Sequence, residues 1–521
     1  MPSDKRPPIF LYAKFDVQAL CRIASSLRQD IACTCNHNQH PASGSFNWAI
    51  FISFEDGVQW VLRSPHTKGA ELSTELSSKL LESEAATMKY VQQNSDIPVP
   101  TVHLYSPNAE NEIGIPFILM SKASGWPLGK AWKSPVSGKP ELAASSKAKV
   151  LHQLGEMTYK LSQLRSDQIG SLFEREGLFR VEECLSRGHI LHDRYSLEDV
   201  PRGPFASEVQ FFDSLIATLN QHAEILQLSH HCFTAPVPGR EDYESHDQYL
   251  EACDLWNDFV TVGKKLDSSD NRLDYIVASH ALQDLISTWR SQLPTTNPQS
   301  FPLCHADLSV NNVYVDDDFN ITCIIDWAFS STVPEALLLT PPGLPQSRDE
   351  LDANLVLAFR NGFESAIMKD TPIQRTGNVE AALEIVRQGR CSWLLTRFLN
   401  FDSIDDYGLF TAIWEHTHDH EKDVGSYFAE KRSSPSFIEL YNDVRLEDQP
   451  TEKLKKAESD YFRNNIFQET IARKLTLVSQ WGCQYTPSHQ QRLRKAGELF
   501  VTDSKLWKWI MEFKKDWNNI S

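Results

Sequence analysis

The stretch that decides the fold runs from His305 to Trp327: His-Ala-Asp-Leu-Ser-Val-Asn-Asn, then Val-Tyr-Val-Asp-Asp-Asp-Phe-Asn-Ile-Thr-Cys-Ile-Ile-Asp-Trp. Two short runs rich in β-branched residues, Val313–Val315 and Ile321–Ile325, flank a turn-forming segment of Asp and Asn residues. Two such runs around a polar turn predict a β-hairpin.

The polar residues at the open end of this hairpin predict a chemical site. If residue 316 faces residue 322 across the turn, antiparallel pairing places Asn312 opposite Asp326. Asp307 lies in the loop just before, so two carboxylates and one carboxamide converge. Oxygen ligands of this kind suit Mg²⁺ carrying a substrate phosphate, and the remaining Asp can accept a hydroxyl proton. The alternative is an ordinary hairpin with a hydrophilic turn, because Asp and Asn are common turn residues.

These residues resemble the catalytic segment of aminoglycoside phosphotransferases and the wider group of protein-kinase-like small-molecule kinases, here a long member of fungal type. That family reads His-Gly-Asp-x-x-x-x-Asn, with Ile-Asp-Trp or Ile-Asp-Leu where protein kinases have Asp-Phe-Gly. The resemblance implies Asp307 as catalytic base, Asn312 and Asp326 as Mg²⁺ ligands and His305 as a structural brace. Ala306 stands where the family has Gly, and it is strained by about 1 kcal/mol if that position needs a positive φ.

The resemblance implies an α+β, protein-kinase-like two-lobe fold. Its small N-terminal nucleotide-binding lobe, with an antiparallel sheet, covers residues 1–121. A larger, mainly helical C-terminal lobe covers 122–521 and carries the catalytic hairpin. Within it, residues 190–300 form a helical insertion and 345–521 a helical region on the acceptor side.

Two patterns in the N-terminal part predict a buried ion pair. The alternating runs Trp48–Phe54 and Val58–Arg63 flank a Glu-Asp-Gly turn, which indicates a hairpin. In the helix that follows, Glu84 shares a stripe with apolar residues spaced by four, and a carboxylate on an inward stripe needs a partner. Arg63 is the candidate, and kinase-like folds pair a strand Lys with a helix Glu to hold nucleotide phosphates. A structural ion pair without nucleotide contact is the alternative.

Two further segments are candidates for nucleotide contacts. Ser45 and Asn47 occupy the hairpin loop that would cover the phosphates, although small and amide side chains are also what any turn prefers. In the family, the strand that ends near Met120, Ser121 and Lys122 leads into the hinge whose backbone binds adenine. We therefore expect the adenine site there.

The composition of the chain limits its possible binding partners and its location in the cell. The 521 residues carry a net charge of −18, which disfavours nucleic acid as a partner. No apolar run approaches the length of a membrane span, and the first residues lack the character of a signal or transit peptide, so we expect a cytosolic protein. A cationic acceptor would fit the sign of the charge. Asp402, Asp405, Asp406 and Glu415 could bind one, or they could form a solvated acidic loop.

The leading hypothesis is an ATP-dependent, Mg²⁺-requiring kinase that phosphorylates a hydroxyl of a small molecule. GTP could replace ATP, and neither the acceptor nor the oligomeric state is specified by the sequence. One alternative is an inactive pseudokinase that binds a nucleotide or a partner, because Ala306 and Arg63 depart from the family and no Gly-rich phosphate motif occurs. Another is a metal-dependent hydrolase using His305, Asp307 and Asp326.

Overall fold

The structure is a computed structural model that describes residues 7–66, 72–132, 142–226, 269–294, 299–370, 377–401, 406–418 and 423–445. Parts of the predicted helical insertion and everything beyond residue 445 lie outside these described residues. Asp402 and Asp405 lie outside them as well. All statements below concern the described residues.

The N-terminal region is a six-stranded antiparallel sheet with two helices. The strands are β1 Cys33–Thr34, β2 Ala42–Ser43, β3 Asn47–Phe54, β4 Gln59–Pro65, β5 Val102–Ser106 and β6 Phe117–Ser121, and the helices are α1 Val17–Ser26 and α2 Thr74–Asn94. Their order in the sheet is β1-β3-β4-β6-β5, with β2 on the outer side of β3. The predicted β3–β4 hairpin is confirmed, and Gly57 (φ 85°) supplies the left-handed residue of its turn.

Alternation along β4 divides its side chains between two cores. Trp60 and Leu62 belong to the cluster on the α1 side, whereas Val61 belongs to the large cluster that includes residues of α2. Because side chains alternate along a strand, Arg63 lies on the same face as Val61 and points towards α2. Ser73 caps α2 by accepting a hydrogen bond from the Leu76 N–H at 3.2 Å.

The C-terminal region is mainly helical, as predicted. Its strands are β7 Trp126–Pro127, β8 Arg165–Ser166, β9 Leu172–Arg175, β10 Leu178–Val181, β11 Phe301–Cys304, β12 Val313–Val315, β13 Ile321–Ile324 and β14 Ser331–Thr332. Its helices are α3 Gly129–Trp132, α4 Ala144–Gln163, α5 Arg187–Ile190, α6 Glu208–Ile225, α7 Ser269–Gln292, α8 Glu335–Leu338, α9 Ala353–Asp370, α10 Gly377–Arg387, α11 Gly389–Leu399, α12 Asp406–Thr417, α13 Val424–Arg432 and α14 Pro435–Arg445. The α+β two-lobe fold class is therefore confirmed.

Helices α4 and α9 pack closely because two glycines lie at their contact. A Cβ on Gly155 would stand 2.0 Å from the Phe359 carbonyl oxygen, and one on Gly362 would stand 1.8 Å from that of His152. Only a residue without a side chain allows the two backbones to approach this closely. The pair forms a scaffold behind the catalytic hairpin, since Gln153 of α4 donates a hydrogen bond to the Phe319 carbonyl at 2.9 Å.

The catalytic hairpin forms, but the predicted register is wrong by one residue. Val313 pairs with Ile324, and Asn312 accepts a hydrogen bond from the Ile325 N–H at 3.0 Å. Asn312 therefore faces Ile325, and Asp326 follows immediately after this pair.

A tighter turn and a bulge explain the shift in register. Asp316 accepts side-chain hydrogen bonds from the backbone of Asp318 and Asn320, and its own N–H bonds to the Asn320 carbonyl. The turn closes at residue 320 instead of 322, and a β-bulge between Tyr314 and Val315 absorbs the extra residue on β13.

No helix in the described part of the chain has both the length and the apolar character that a membrane span requires.

Candidate active site

His305 joins the catalytic loop to the end of β13. Its Nδ1 accepts a hydrogen bond from the Asp307 N–H at 3.1 Å, and its Nε2 lies 3.0 Å from the Ile325 carbonyl oxygen. This pattern assigns the proton to Nε2 and leaves the imidazole neutral. Burial lowers the pKa of His305 to about 4, which keeps it neutral at pH 7. Because both ring nitrogens are bonded to backbone groups, His305 is not available as a metal ligand, and the hydrolase alternative loses one of its three residues.

Ala306 carries no backbone strain. The residues with positive φ outside glycine include Asp326 and Phe329 but not Ala306. The side chain of Ala306 packs against the apolar cluster that contains Phe329. The departure from the family's Gly therefore costs none of the strain that a left-handed backbone would impose here.

Asp307 and Asn312 are held together across the catalytic loop. The Asn312 Nδ2 donates to the Asp307 carbonyl at 3.0 Å and reaches the Asp307 carboxylate at 3.4 Å. Asn312 is buried, whereas the Asp307 side chain is 36% exposed and so can meet a ligand. With its nitrogen engaged in this way, the Asn312 side chain turns its carbonyl oxygen away from Asp307.

Asp326 is placed by an unusual backbone. Its φ is 64°, in the left-handed region that is uncommon for residues other than glycine, Asn and Asp. The chain leaves β13 there, and the Asp326 carboxylate, 41% exposed, forms an ion pair with Arg63. Asp is one of the few residues besides glycine that adopt this conformation readily as single residues.

Arg63 pairs with two carboxylates at once. Its Nη1 donates to Glu84 and its Nη2 donates to Asp326. Glu84 is only 4% exposed, so the predicted inward stripe of α2 and the predicted Arg63–Glu84 pair are both present. The contact with Asp326, which connects the N-terminal sheet to the catalytic hairpin, was not predicted.

The loop that carries Ser45 and Asn47 contacts the segment after the catalytic hairpin through the residue between them. Gly44 closes a tight turn by donating to the Asn47 carbonyl at 2.8 Å. The Phe46 ring packs edge-on against Phe329, three residues beyond Asp326, with ring centroids 5.4 Å apart. Ser45 is exposed and Asn47 half-buried. Their contact with phosphates stays a prediction.

At the predicted adenine site, two of the backbone donors are already engaged. The Ser121 N–H bonds to the Thr101 carbonyl at 2.9 Å, and the Lys122 N–H bonds to the Gln59 carbonyl at 3.3 Å. The Lys122 ammonium also binds the Gln59 side chain at 2.7 Å. Met120 is buried in the sheet. A nucleotide base in this region would therefore have to use carbonyl groups of these residues or displace one of these bonds.

The donor set fits a hard divalent cation whose remaining ligands come from elsewhere. The Asn312 carbonyl oxygen and the Asp326 carboxylate are oxygen ligands of the type that Mg²⁺ prefers. Among the described residues, no group of three or more His, Cys, Asp or Glu side chains could hold a metal ion unaided. Mg²⁺ characteristically completes its coordination with water and substrate phosphates, so a two-residue site is sufficient.

Sequence reasoning missed Arg187. Its Nη1 lies 4.0 Å from the Asp307 carboxylate. Arg187 belongs to the four-residue helix α5, which is too short to show a periodic pattern. Only tertiary packing brings it beside Asp307.

Comparison with known sequences identifies the class of the protein. The profile of the phosphotransferase enzyme family (APH) matches residues 39–334, more than half of the chain. The chain therefore belongs to the phosphotransferase enzyme family. The resemblance carried by the His305–Trp327 segment is confirmed.

Individual relatives are similar to only part of this chain and at low identity. A subtelomeric hrmA-associated cluster protein of Aspergillus fumigatus is 27% identical over 31% of this chain and 32% of its own length. The protein named "Altered inheritance of mitochondria protein 9, mitochondrial" of Yarrowia lipolytica is 23% identical over 63% of this chain and 56% of its own length. The matched part of the chain thus spans between about a third and just over half of these curated relatives.

Solved structures are also similar to this chain. A putative fructosamine-3-kinase from Thermobifida fusca has 13% sequence identity and a TM-score of 0.38, covering 76% of this chain and 99% of that one. A macrolide 2′-phosphotransferase from Brachybacterium faecium has 11% identity and a TM-score of 0.34, covering 78% of this chain and 100% of that one.

The prediction of a cytosolic location is wrong. It rested on the lack of a membrane-length apolar run and on the character of the first residues. The relatives from Yarrowia lipolytica and Kluyveromyces lactis are both named as mitochondrial proteins.

Proposed function

We propose that this protein is a kinase that transfers the γ-phosphoryl group of ATP to a hydroxyl of a small-molecule acceptor and requires Mg²⁺. The observation that carries the proposal is the hydrogen-bonded unit of Asp307, Asn312 and His305, to which Arg63 adds Asp326 from the N-terminal side. Family membership supports phosphoryl transfer, and the exposed carboxylates of Asp307 and Asp326 supply the two charges that it needs.

Asp307 would orient the acceptor. Its carboxylate accepts a hydrogen bond from the acceptor hydroxyl, whose oxygen attacks the γ-phosphorus. The bond between that phosphorus and the oxygen bridging it to the β-phosphate breaks, ADP leaves, and the hydroxyl proton passes to Asp307 and then to water. His305 is a positioning residue, because it fixes the backbone of Asp307 without facing the reacting atoms.

Asn312 and Asp326 would hold Mg²⁺ through side-chain oxygens. The bound ion would neutralise charge on the β- and γ-phosphates. The Asn312 amide is suited to this by its orientation, because its nitrogen is bonded to Asp307. The second carboxylate oxygen of Asp326 would also be available to Mg²⁺, because Arg63 contacts the first.

Arg63 would serve the phosphates while it keeps both of its carboxylate partners. A guanidinium carries five N–H donors in a planar fork, and one at each terminal nitrogen accounts for the bonds to Glu84 and Asp326. The remaining donors can bind phosphate oxygens. Glu84 would therefore be the support that fixes the direction of the fork.

A pseudokinase is the second candidate, and one observation favours it. The Arg63–Asp326 ion pair places a fixed positive charge on the proposed metal ligand, which competes with a cation for the same carboxylate. The N–H groups of Ser121 and Lys122 are already bonded to backbone carbonyls, and this also favours the pseudokinase. Such a protein would bind a partner or a nucleotide without turnover.

Measuring ATP consumption across a panel of hydroxylated metabolites tests the proposal. Asp307→Asn is the blank, and Asp318→Asn is the matched control, since Asp318 is an exposed residue of the hairpin turn. We expect consumption by the wild type and the control but not by Asp307→Asn, which should keep its Mg·ATP affinity within several-fold. Wild-type turnover in Asp307→Asn would remove Asp307 as the base. Mg·ATP binding with no consumption on any acceptor would favour the pseudokinase.

We also propose a mitochondrial location, which the names of the relatives from Yarrowia lipolytica and Kluyveromyces lactis support. Fractionation of cells that express the tagged full chain tests it. Recovery of the protein with the mitochondrial fraction, protected from added protease, is the expected result.

A further inference from the structure

A cavity in the C-terminal region opens beside Asp307. It lies between α5, α6, α11 and the strand β11. Ala306 and Leu308, the two neighbours of Asp307 in the chain, both line it, and Arg187 lines it while standing 4.0 Å from the Asp307 carboxylate. Asp307 itself does not line the cavity, and Arg187 is the residue that connects the cavity to the Asp307 carboxylate.

The body of the cavity is apolar. Most of the side chains that line it are aliphatic or aromatic, among them Phe329, Leu337, Trp393 and Leu399. Burying a hydrocarbon or aromatic body against them is favourable, because it removes apolar surface from water. A strongly hydrated molecule without an apolar body would lose its water against these side chains without a compensating apolar contact.

The charged side chains that line the cavity are arginines, in contrast to the acidic chain as a whole. Among the described residues that line it, the charged ones are Arg187 and Arg397, and none is Asp or Glu. His305 also lines the cavity but is neutral at pH 7, because burial lowers its pKa to about 4. Of the two acidic-stretch residues that the structure describes, Asp406 is buried and accepts a hydrogen bond from Tyr275, and Glu415 is exposed; neither lines the cavity.

Arg187 lies on α5, a short helix that buried hydrogen bonds hold in place. Arg194, fully buried, donates to the Gly188 carbonyl at 2.7 Å and to the Leu399 carbonyl at 2.6 Å, which ties α5 to α11. On the same short helix, His189 bonds to the side chains of Ser186 at 2.9 Å and Ser214 at 3.0 Å. A binding group held on such a support loses little conformational entropy when it meets a ligand.

We propose that the acceptor is an apolar hydroxy compound that carries an anionic group, carboxylate or phosphate, only a few bonds from the hydroxyl. The hydroxyl meets Asp307, the anion meets Arg187, and the apolar body fills the cavity. The short Arg187–Asp307 distance sets the spacing of the two groups on the acceptor. This inference rests on the proposed function and narrows its acceptor to a class that excludes polycations.

A matched set of acceptors tests the class. The set is a β-hydroxy fatty acid, the 1,3-diol and the γ-amino alcohol of the same chain length, the β-hydroxyalkyl phosphate, and an ω-hydroxy fatty acid with the two groups far apart. We expect kcat/KM for the acid or the phosphate to exceed that of the amino alcohol by at least about tenfold, with the diol between them. Comparing acid with phosphate identifies the anion. The amino alcohol or the ω-hydroxy acid as best acceptor would overturn the inference.

The ratio of turnover on the acid to turnover on the diol measures the contribution of Arg187 to recognition of the anionic group. In Arg187→Gln we expect this ratio to fall by at least about tenfold, whatever happens to the absolute rates. Arg180→Gln removes the same charge from an exposed residue of β10 outside the cavity and should leave the ratio unchanged. An unchanged ratio in Arg187→Gln would overturn the role of Arg187.

Calorimetric binding of the β-hydroxy acid in the absence of nucleotide separates this inference from the proposed function. Binding that depends on Arg187, with no phosphorylation of any acceptor, contradicts the kinase proposal and supports the cavity's preference. Phosphorylation that favours the amino alcohol supports the kinase and contradicts the preference. Absence of binding by the acid and the phosphate contradicts the preference directly.

Discussion

Arg63 and Asp326 are separated by 263 residues of sequence and form an ion pair that connects the N-terminal sheet to the catalytic hairpin. The same guanidinium is held from behind by Glu84 of α2. Helix α2 and the residue that follows the catalytic hairpin therefore contact the same guanidinium. The two regions share one electrostatic unit at the site where a nucleotide is proposed to bind.

Removing the proposed metal ligands should alter the Mg²⁺ dependence of nucleotide binding. We expect Asp326→Ala to abolish Mg²⁺-dependent ATP binding and Asn312→Ala to weaken it by roughly tenfold, equivalent to about 1.4 kcal/mol. Calorimetry at fixed ATP and varied Mg²⁺ measures both effects. Asp318→Ala in the exposed turn is the control and should bind as the wild type does. Unchanged Mg²⁺ dependence in Asp326→Ala would favour the pseudokinase.

Neutralising Glu84 should lower activity by more than it lowers stability. Glu84→Gln leaves Arg63 with Asp326 as its remaining carboxylate, so we expect a loss of roughly 2 kcal/mol in the free energy of unfolding. If the pair directs the phosphates, kcat in the folded protein should also fall at least about tenfold.

Glu82→Gln provides a matched control for this experiment. Glu82 lies on the same helix but pairs with Arg175, whose other partner is Glu182. Its loss should cost stability alone. Chemical unfolding and turnover, measured on both variants, compare the two effects. Equal turnover per folded molecule in Glu84→Gln and Glu82→Gln would assign the Arg63–Glu84 pair a purely structural role.

Replacing Arg63 by Lys tests whether the fork or only the charge is needed. A Lys ammonium is a point charge that cannot span Glu84 and Asp326 with fixed geometry, so we expect a stability loss of about 1 kcal/mol. A kinase site should still bind Mg·ATP within about tenfold of wild type in Arg63→Lys and lose binding in Arg63→Gln. Thermal melts with and without Mg·ATP report both quantities. Equal loss of nucleotide binding in the two variants would mean that the planar fork is indispensable.

The sequence predicts local relationships well and distant ones poorly. Glu84 could be assigned an inward position because its spacing of four with Leu80 and Met88 is a property of one helix. Arg63 could be chosen as its partner because it ends the preceding strand, in the order that kinase-like folds have. The position of Asp326 depends on a bulge and on a left-handed residue, neither of which leaves a pattern in the sequence. The Arg187 contact with Asp307 arises from packing between separate segments.

The charged side chains that line the cavity beside Asp307 also depend on packing between segments that are distant in the sequence. The net charge of −18 describes the whole surface, whereas the cavity is lined by two arginines and by no carboxylate among the described residues. A net charge carries no information on which residues face a particular cavity. The suggestion of a cationic acceptor drew on the sum, whereas the proposal of an anionic group on the acceptor draws on Arg187 in the cavity lining.

His305 should make the folded protein sensitive to mild acid. Burial lowers its folded pKa to about 4, while an unfolded His titrates near 6.5. As pH falls between these values the unfolded state takes up the proton first, so the free energy of unfolding should decrease, by on the order of 3 kcal/mol in all. His305→Asn removes this titration and keeps an acceptor for the Asp307 N–H. Chemical unfolding between pH 7 and 4 should therefore show a shallower decline in the free energy of unfolding for His305→Asn than for the wild type. Turnover of His305→Asn at pH 7 should be lower, because the bond to Ile325 is lost. Parallel declines in the two proteins would show that other groups, such as the buried His189, account for the acid sensitivity.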